Sequence, residues 1–174
     1  MIFEPLEIAG AFRVLLEPRA DERGSFARAF CQRELRAAGI ELNVAQANLA
    51  RTHKAGVIRG LHYQPEPAPE RKLVRCLRGA VFDAIVDLRP DSPSFRRVHT
   101  MRLDEENRHA LFIPAGVAHG YQTLVPDTEF FYMTDQFYAP GQERGVRYSD
   151  PALGISWPLP PCDVAPRDQQ WPLL

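Results

Sequence analysis

The sequence has no long apolar run and almost no net charge. Its 174 residues include 21 Lys and Arg against 22 Asp and Glu, which leaves a formal net charge of -1. Because nucleic acids and anionic lipids attract broadly positive surfaces, we expect neither as a partner. No stretch approaches the roughly 20 apolar residues that cross a bilayer, and Glu4 and Glu7 interrupt the apolar start before a signal-like segment forms. We therefore expect a cytoplasmic protein.

Cysteine is scarce, and its spacing is not that of a disulfide framework or a metal site. Cys31, Cys76 and Cys162 form no CxxC motif and are odd in number, which favours reduced thiols. The chain has no His-x-His pair and no close group of Cys and His, so the ligands usual for a first-row metal are not evident. We expect no bound metal.

No linker, low-complexity tract or repeat divides the chain. Its 16 prolines and 11 glycines are spread along the whole length. A hydrophobic fraction of 45% and an aromatic fraction of 10% are ordinary for a globular protein, and 174 residues are about one domain long. We expect a single domain over residues 1–174.

Apolar and polar residues alternate over most of the chain, which predicts an all-β fold. The predicted strands are residues 12–16, 44–49, 57–64, 73–77, 81–88, 98–103, 110–113, 120–124 and 128–137. Arg78-Gly79 predicts a hairpin between two of them, and CQRELRAAG predicts a helix that ends at Gly39. Many short strands favour a sandwich or barrel with one or two peripheral helices. The mouth of such a barrel is a usual place for a small-molecule site.

Two histidines lie within two residues of a glycine, on separate predicted strands. In VIRGLHYQ, strict alternation puts His62 on the same face as Gly60 and on the opposite face from Arg59. In IPAGVAHGYQTL, Gly120 follows His119. A strand glycine permits close approach of a ligand or another backbone, and the unperturbed pKa of histidine lies nearest neutral pH. Either histidine alone is more often structural, but the two together favour proton transfer over a metal site.

Four further side chains have a chemical and a structural interpretation. Lys72, one of only two lysines, is either an ammonium that stabilises an enolate oxygen or a solvated charge at a strand end. Tyr132 and Tyr138 are core residues, platforms for a nucleobase or general acids. Asp168, in a segment predicted to be irregular, would fix the tautomer of His62 if the two were paired.

Six segments, taken in order, carry a resemblance to a known family. They are RGLHYQ, KLVRC, VFDAIVDLRPDSPSF, IPAGVAHGYQTL, FYMTDQFYAPGQERGVRYSDPALGISWP and APRDQQWP. From ERGSF to the tail, the chain resembles the dTDP-4-dehydrorhamnose 3,5-epimerase family. The resemblance implies a cupin-like jelly-roll β-barrel, a nucleotide-sugar substrate, no metal or other cofactor, and a homodimer with exchanged N-terminal strands.

The resemblance also implies a role for each matching residue. His62 matches the general base, Asp168 the carboxylate paired with it, Tyr132 the general acid on the opposite ring face, and Lys72 the cation near the enolate. The C4 ketone acidifies the protons at C3 and C5, so a base and an opposed acid invert either carbon. The matching binding positions are Arg23 and Phe26 across the dimer, Gln46, Asn48, Arg59 and His119 along the sugar diphosphate, Tyr138 against the base, and Glu143 near the nucleotide.

The function that we expect is epimerisation of a nucleotide-linked 4-keto-6-deoxyhexose at C3 and C5 in deoxysugar biosynthesis. One departure concerns the nucleobase. Arg28 replaces a glutamate that commonly accepts a hydrogen bond from the thymine imide, and arginine has no acceptor. Inversion at only one carbon, a cupin module that binds a nucleotide sugar without turnover, and a metal-dependent cupin isomerase or dioxygenase stay open as alternatives.

Overall fold

The computed structural model describes residues 1–174, and antiparallel strands are its main regular secondary structure. In chain order its elements are β1 (Ile2–Pro5), β2 (Phe12–Leu15), β3 (Arg19–Asp21), β4 (Gly24–Phe26), α1 (Gln32–Ala37), β5 (Gln46–Thr52), β6 (Ile58–Tyr63), β7 (Lys72–Arg78), β8 (Ala80–Asp87), β9 (Val98–Asp104), β10 (Ala110–Ile113), β11 (Val117–Thr123), β12 (Thr128–Thr134), β13 (Arg144–Gly145), a 3₁₀ turn (Pro151–Leu153) and α2 (Pro166–Gln170). Neither helix has the length and apolar character needed to traverse a membrane.

Two sheets make up the body of the molecule. One has six strands in the order β1-β2-β10-β7-β12-β5, and the other has five in the order β13-β6-β11-β8-β9, while β3 and β4 form a separate hairpin. This arrangement is the predicted all-β, cupin-like jelly roll with short peripheral helices.

The alternation of side chains along each strand produces three apolar layers. Val74 and Phe130 of the six-stranded sheet meet Ile85 of the five-stranded sheet in the layer between them. The outer face of the six-stranded sheet is covered in part by Leu35 of α1, and that of the other sheet by residues near the carboxyl end, such as Leu153. The sheets are therefore held by burial of apolar surface on both of their faces.

The structure corrects the prediction of a hairpin at Arg78-Gly79. Strand β7 ends at Arg78 and belongs to the six-stranded sheet, whereas β8 begins at Ala80 and belongs to the other. Gly79 has a φ of +77° and lies so close to Thr128 that a Cβ would be 2.8 Å from its hydroxyl oxygen. The segment is therefore a corner between sheets, which local sequence does not distinguish from a hairpin turn because both need a glycine at positive φ.

Strand boundaries were predicted less well than strand existence. The prediction for residues 44–49 corresponds to β5 at Gln46–Thr52, and that for 120–124 to a strand that starts earlier, at Val117. Strands β1, β3, β4 and β13 were not predicted. They have two to four residues each, and such short segments become strands through pairing with distant neighbours rather than through their own pattern. The predicted helix is α1, and Gly39 lies just beyond its end with a φ of +77°.

Candidate active site

A polar cavity of about 270 Å³ lies between the inner faces of the two sheets. Most of the predicted site residues line it. These are Gln46, Asn48, Arg59, His62, Lys72, His119, Tyr132, Tyr138 and Glu143. Tyr121 and Phe130 belong to both the cavity wall and the apolar core, so the cavity begins where the core ends.

One wall of the cavity is a set of side chains in register on β5, β12 and β7. Tyr132 of β12 is opposite Asn48, and Thr134 is opposite both Gln46 and Lys72. Since side chains two residues apart point to the same face of a strand, Lys72 is a diagonal neighbour of Tyr132. Cross-strand pairing therefore brings the predicted acid and the predicted cation together.

The opposite wall is formed by β6 and β11, where the structure corrects the prediction of strict alternation. His62 is opposite His119, but Tyr121 is opposite Arg59. Arg59 and His62 are three residues apart on β6, whereas their partners Tyr121 and His119 are only two residues apart on β11. This is a β-bulge with one extra residue on β6. The bulge reverses the alternation, and Arg59 and His62 line the same cavity.

Gly60 lies inside this bulge with a φ of +115°, and a Cβ there would be 2.5 Å from Cα of Gly120. The space beside it is filled by the backbone of β11 and not by a ligand. We expect Gly60→Ala to lower the free energy of unfolding by about 3 kcal/mol or more, because the two strands must separate or lose the bulge. Denaturant titration followed by circular dichroism measures this loss.

Gly39→Ala is the matched control for that variant. Gly39 also has positive φ, but nothing lies within 4 Å of a Cβ built there. The control therefore isolates backbone strain, for which we expect a cost of about 1 kcal/mol. Equal losses for the two variants would contradict the close approach of β6 and β11.

His62 is held by a buried carboxylate behind the cavity wall. Its Nε2 lies 2.7 Å from Oδ1 of Asp168, and only 3% of the Asp168 side chain is exposed. The backbone N–H of Gly60 donates to Oδ2 at 3.1 Å, and the indole N–H of Trp171 donates to Oδ1 at 3.3 Å. Asp168 lies in α2, and the prediction of an irregular segment is wrong there.

Asp168 is an anion at neutral pH. Burial alone would raise the pKa of this carboxyl, but the hydrogen bonds from His62 and from the Gly60 N–H outweigh burial and lower it. The Nε2 of His62 must then carry the proton that is donated to Asp168. Its Nδ1 is left as the nitrogen that can take up a proton from a ligand.

A second pair of histidine and aspartate lies beside the first. Nε2 of His119 is 2.9 Å from Oδ2 of Asp83, and the other carboxylate oxygen of Asp83 is buried without a hydrogen-bond partner. The His119 ring stacks on Phe130 with centroids 6.0 Å apart. The chain has no group of three or more His, Cys, Asp or Glu side chains that could hold a metal ion.

Tyr132 lies on the six-stranded sheet, while His62 lies on the five-stranded one. The pKa of the Tyr132 phenol is raised, chiefly by burial and further by the negative charges of Glu70 and Glu143. The positive charge of Arg59 acts in the opposite direction and lowers it. The phenol is therefore protonated at neutral pH and can donate a proton. A proton acceptor and a proton donor thus line one cavity from two different sheets.

The chain is similar to proteins of one known family. The chain matches the family described as dTDP-4-dehydrorhamnose 3,5-epimerase over residues 5–174. It belongs to this family. The dTDP-4-dehydrorhamnose 3,5-epimerase of Shigella flexneri is 44% identical over 149 residues, which cover 84% of this chain and 82% of that protein. The dTDP-4-dehydrorhamnose 3-epimerase of Streptomyces niveus is 39% identical over 100% of this chain and 84% of that protein.

Solved structures show the same family. The crystal structure of dTDP-4-dehydrorhamnose 3,5-epimerase from Bacillus anthracis, with TDP and PPi bound, has a TM-score of 0.95, is 34% identical and covers 99% of both chains. The resemblance to the dTDP-4-dehydrorhamnose 3,5-epimerase family and the cupin-like fold that it implied are confirmed.

Several cavity residues of this member of the epimerase family were missed by sequence reasoning. They are Glu70, Tyr121, Phe130, Thr134 and Arg167. Arg167 forms an ion pair with Glu143 and lies 3.7 Å from Asp168. Its position next to Asp168 in the chain was a usable signal, and so was the position of Glu70 two residues before Lys72. Tyr121 lies two residues after His119, so strand alternation placed both on one face, which was a further signal. Phe130 gave none, because core and cavity-wall aromatics look alike in sequence.

Two residues that the family resemblance assigns to the substrate site lie outside the cavity of this chain. Arg23 and Phe26 belong to the β3–β4 hairpin, where Arg23 pairs with Asp21. The Arg23 side chain is 90% exposed and Phe26 is 71% exposed. Neither residue lines the cavity of its own chain.

Proposed function

We propose that the protein inverts a dTDP-linked 4-keto-6-deoxyhexose at C3 and C5, as an isomerase in deoxysugar biosynthesis that needs no cofactor. The single observation that carries this proposal is the placement of His62 and Tyr132 on facing sheets of one cavity. A base and an acid that flank a sugar ring on opposite faces produce inversion, whereas a module that only binds the sugar needs neither.

The proposed reaction has two proton transfers at each carbon. Nδ1 of His62 takes the proton from C3 or C5, and the electrons of that C–H bond form the C=C bond of an enolate while negative charge moves to the C4 oxygen. The Lys72 ammonium stabilises this oxygen electrostatically. Tyr132 then donates its phenolic proton to the same carbon from the other face, and solvent restores the protonation of both residues.

The remaining polar residues are proposed to bind the nucleotide diphosphate. Arg59 and Arg167 line the cavity, and the guanidinium fork binds phosphate oxygens in a bidentate manner. Tyr138 is 60% exposed at the cavity mouth, where its ring is free to stack on a base. The relative from Bacillus anthracis binds TDP and PPi, which supports a nucleoside diphosphate ligand.

Proton NMR in deuterated water tests the proposal with dTDP-4-keto-6-deoxyglucose as substrate. We expect deuterium at both C3 and C5 of the product. Deuterium at neither carbon would reject the enzyme and favour a binding module.

Inversion at C3 alone is the second candidate, because the Streptomyces niveus relative is a 3-epimerase. Deuterium at C3 and not at C5 would establish it in place of double inversion.

The nucleobase is tested separately with a thermal-shift panel of dTDP, UDP, CDP and GDP, since a ligand that binds the folded state raises its stability. A preference for dTDP would show that Arg28, which pairs with Glu34 at 2.9 Å, does not prevent thymine binding.

The proposed unit is one cytoplasmic domain that spans residues 1–174. Both sheets share the same apolar layer, which supports a single domain. Cys31, Cys76 and Cys162 are unpaired, and disulfides are rare in reducing compartments. These thiols therefore support a cytoplasmic location.

A homodimer with exchanged N-terminal strands completes the proposal, and the outer face of the six-stranded sheet supports the association of two copies. Part of this face forms an apolar groove that is lined by Ala29, Phe30, Leu73, Arg75, Leu77, Ala110, Phe131 and Met133. Leu49, next to Phe131 in register, is 59% exposed. Arg75 is nearly buried there, its Nε has no hydrogen-bond partner, and burial lowers its pKa. A second copy would cover the apolar side chains and supply an acceptor for Arg75.

We expect Leu49→Asp to weaken this dimer by at least about 30-fold in Kd, because it places an unpaired carboxylate in an apolar interface. Sedimentation velocity over a range of concentrations measures the change. Leu173→Asp is the control, since Leu173 is also exposed but lies in the carboxyl-terminal tail. A wild-type protein that sediments as a monomer would contradict the proposed dimer.

A further inference from the structure

We propose that Glu70 is a positioning residue, which fixes the Lys72 ammonium on the cavity wall and holds a negative charge near the Tyr132 hydroxyl. The inference rests on the proposed epimerase function and extends it to a residue with no part in the chemistry described above. Glu70 lines the cavity together with both of these residues.

The backbone holds Glu70 in place. It lies in the segment between β6 and β7, where its N–H donates to the carbonyl of Gln64 at 3.3 Å. Gln64 is itself buried, and its side-chain amide donates to the carbonyl of Ala68 at 2.8 Å. The loop is therefore closed on itself by two hydrogen bonds, which hold the backbone of Glu70 beside the cavity.

The ion pair of Glu70 and Lys72 is sheltered from solvent. Oε2 of Glu70 is 3.1 Å from Nζ of Lys72, and each side chain is only 15% exposed. A lysine side chain has four flexible bonds, so an ammonium without a partner would sample many positions. Because the pair is poorly solvated, its attraction is screened less than that of a surface pair. The ammonium is thereby pre-organised for the C4 oxygen of the enolate.

The charge of Glu70 also acts on the general acid. The charged or titratable groups that face Tyr132 in the cavity are Lys72 from β7, Arg59 and His62 from β6, His119 and Tyr121 from β11, Tyr138 and Glu143 from the segment after β12, Arg167 from α2, and Glu70 itself. After burial, Glu70 is the largest of the influences that raise the pKa of Tyr132, ahead of Glu143, and Arg59 opposes them. A group with a raised pKa keeps its proton to higher pH, so Glu70 extends the pH range in which Tyr132 is an acid.

Glu70→Gln tests the inference, because it removes the charge and keeps the shape. We expect Tyr132 to ionise at lower pH in this variant, as seen in the ultraviolet absorbance of tyrosinate. Subtracting the same titration of Glu70→Gln/Tyr132→Phe isolates the contribution of Tyr132. We also expect the alkaline limb of the kcat profile to move to lower pH, and kcat at neutral pH to fall about tenfold with a smaller change in KM, because Lys72 loses its orientation.

Two further variants separate charge from structure. Glu41→Gln removes an exposed carboxylate outside the cavity. We expect this variant to change neither the tyrosinate titration nor the pH profile of kcat. Glu70→Asp keeps the charge, so it should leave the alkaline limb closer to its wild-type position than Glu70→Gln does. An equal loss of activity at every pH, with no shift of tyrosinate ionisation in Glu70→Gln, would overturn the inference. If the wild-type protein shows no turnover, the proposed function fails, but the tyrosinate titration still decides the effect of Glu70.

Discussion

His62→Ala is expected to slow solvent exchange at C3 and C5 by more than about 10³-fold while dTDP binding is retained. A buried carboxylate holds the Nε2 side of this imidazole and leaves Nδ1 to accept a proton. Its loss leaves the diphosphate-binding arginines in place. Deuterium incorporation by NMR measures the rate, and calorimetric titration with dTDP measures binding.

His53→Ala is the control for this variant. His53 also contacts an aspartate, with Nδ1 3.1 Å from Oδ1 of Asp127, but it is exposed and lies outside the cavity. We expect wild-type exchange in the control. Unchanged exchange in His62→Ala would remove this residue from its proposed role as the base.

Tyr132→Phe is expected to lower the rate of formation of inverted product by about 10²-fold or more. Exchange should continue, because His62 can still remove a proton and return deuterium to the same face of the carbon. The variant should therefore incorporate deuterium into substrate of unchanged configuration. NMR coupling constants of the sugar protons distinguish retention from inversion.

Tyr148→Phe is the matched control, since Tyr148 packs on Trp157 with ring centroids 6.5 Å apart and does not line the cavity. We expect normal inversion in this control. A Tyr132→Phe variant that forms inverted product at the wild-type rate would show that another group is the acid. Loss of exchange together with inversion would show that the phenol is needed in the first step as well.

The predictions from sequence succeeded where a pattern is short and local. The strand predicted over residues 128–137 is β12 at Thr128–Thr134, and its pairing with β5 is regular over that range. Alternation failed in IRGLHY, where a bulge on β6 brings Arg59 and His62 to the same side. The bulge depends on how β11 pairs with β6, and pairing partners are not contained in either segment.

The pairing of His62 with Asp168 shows the same limit over a longer distance. The resemblance implied this pair, but 106 positions separate the two residues in the chain, and no local pattern connects them. A short helix, α2, and the backbone N–H of Gly60 bring the carboxylate to the ring. Asp83 was missed for a related reason, because an aspartate within an apolar strand has no visible partner until β8 and β11 pair.

The amino-acid sequence by itself determined that the chain is an all-β protein with nearly balanced charge, reduced thiols and a set of residues similar to one family of sugar-nucleotide epimerases. Only the tertiary structure decided which of those residues share a cavity, that Asp83 is the carboxylate paired with His119, and that Glu70 lies against Lys72. The physical reason is that composition and periodicity are properties of neighbouring residues. Proton transfer depends instead on distances of a few ångströms between segments that only the pairing of strands brings together.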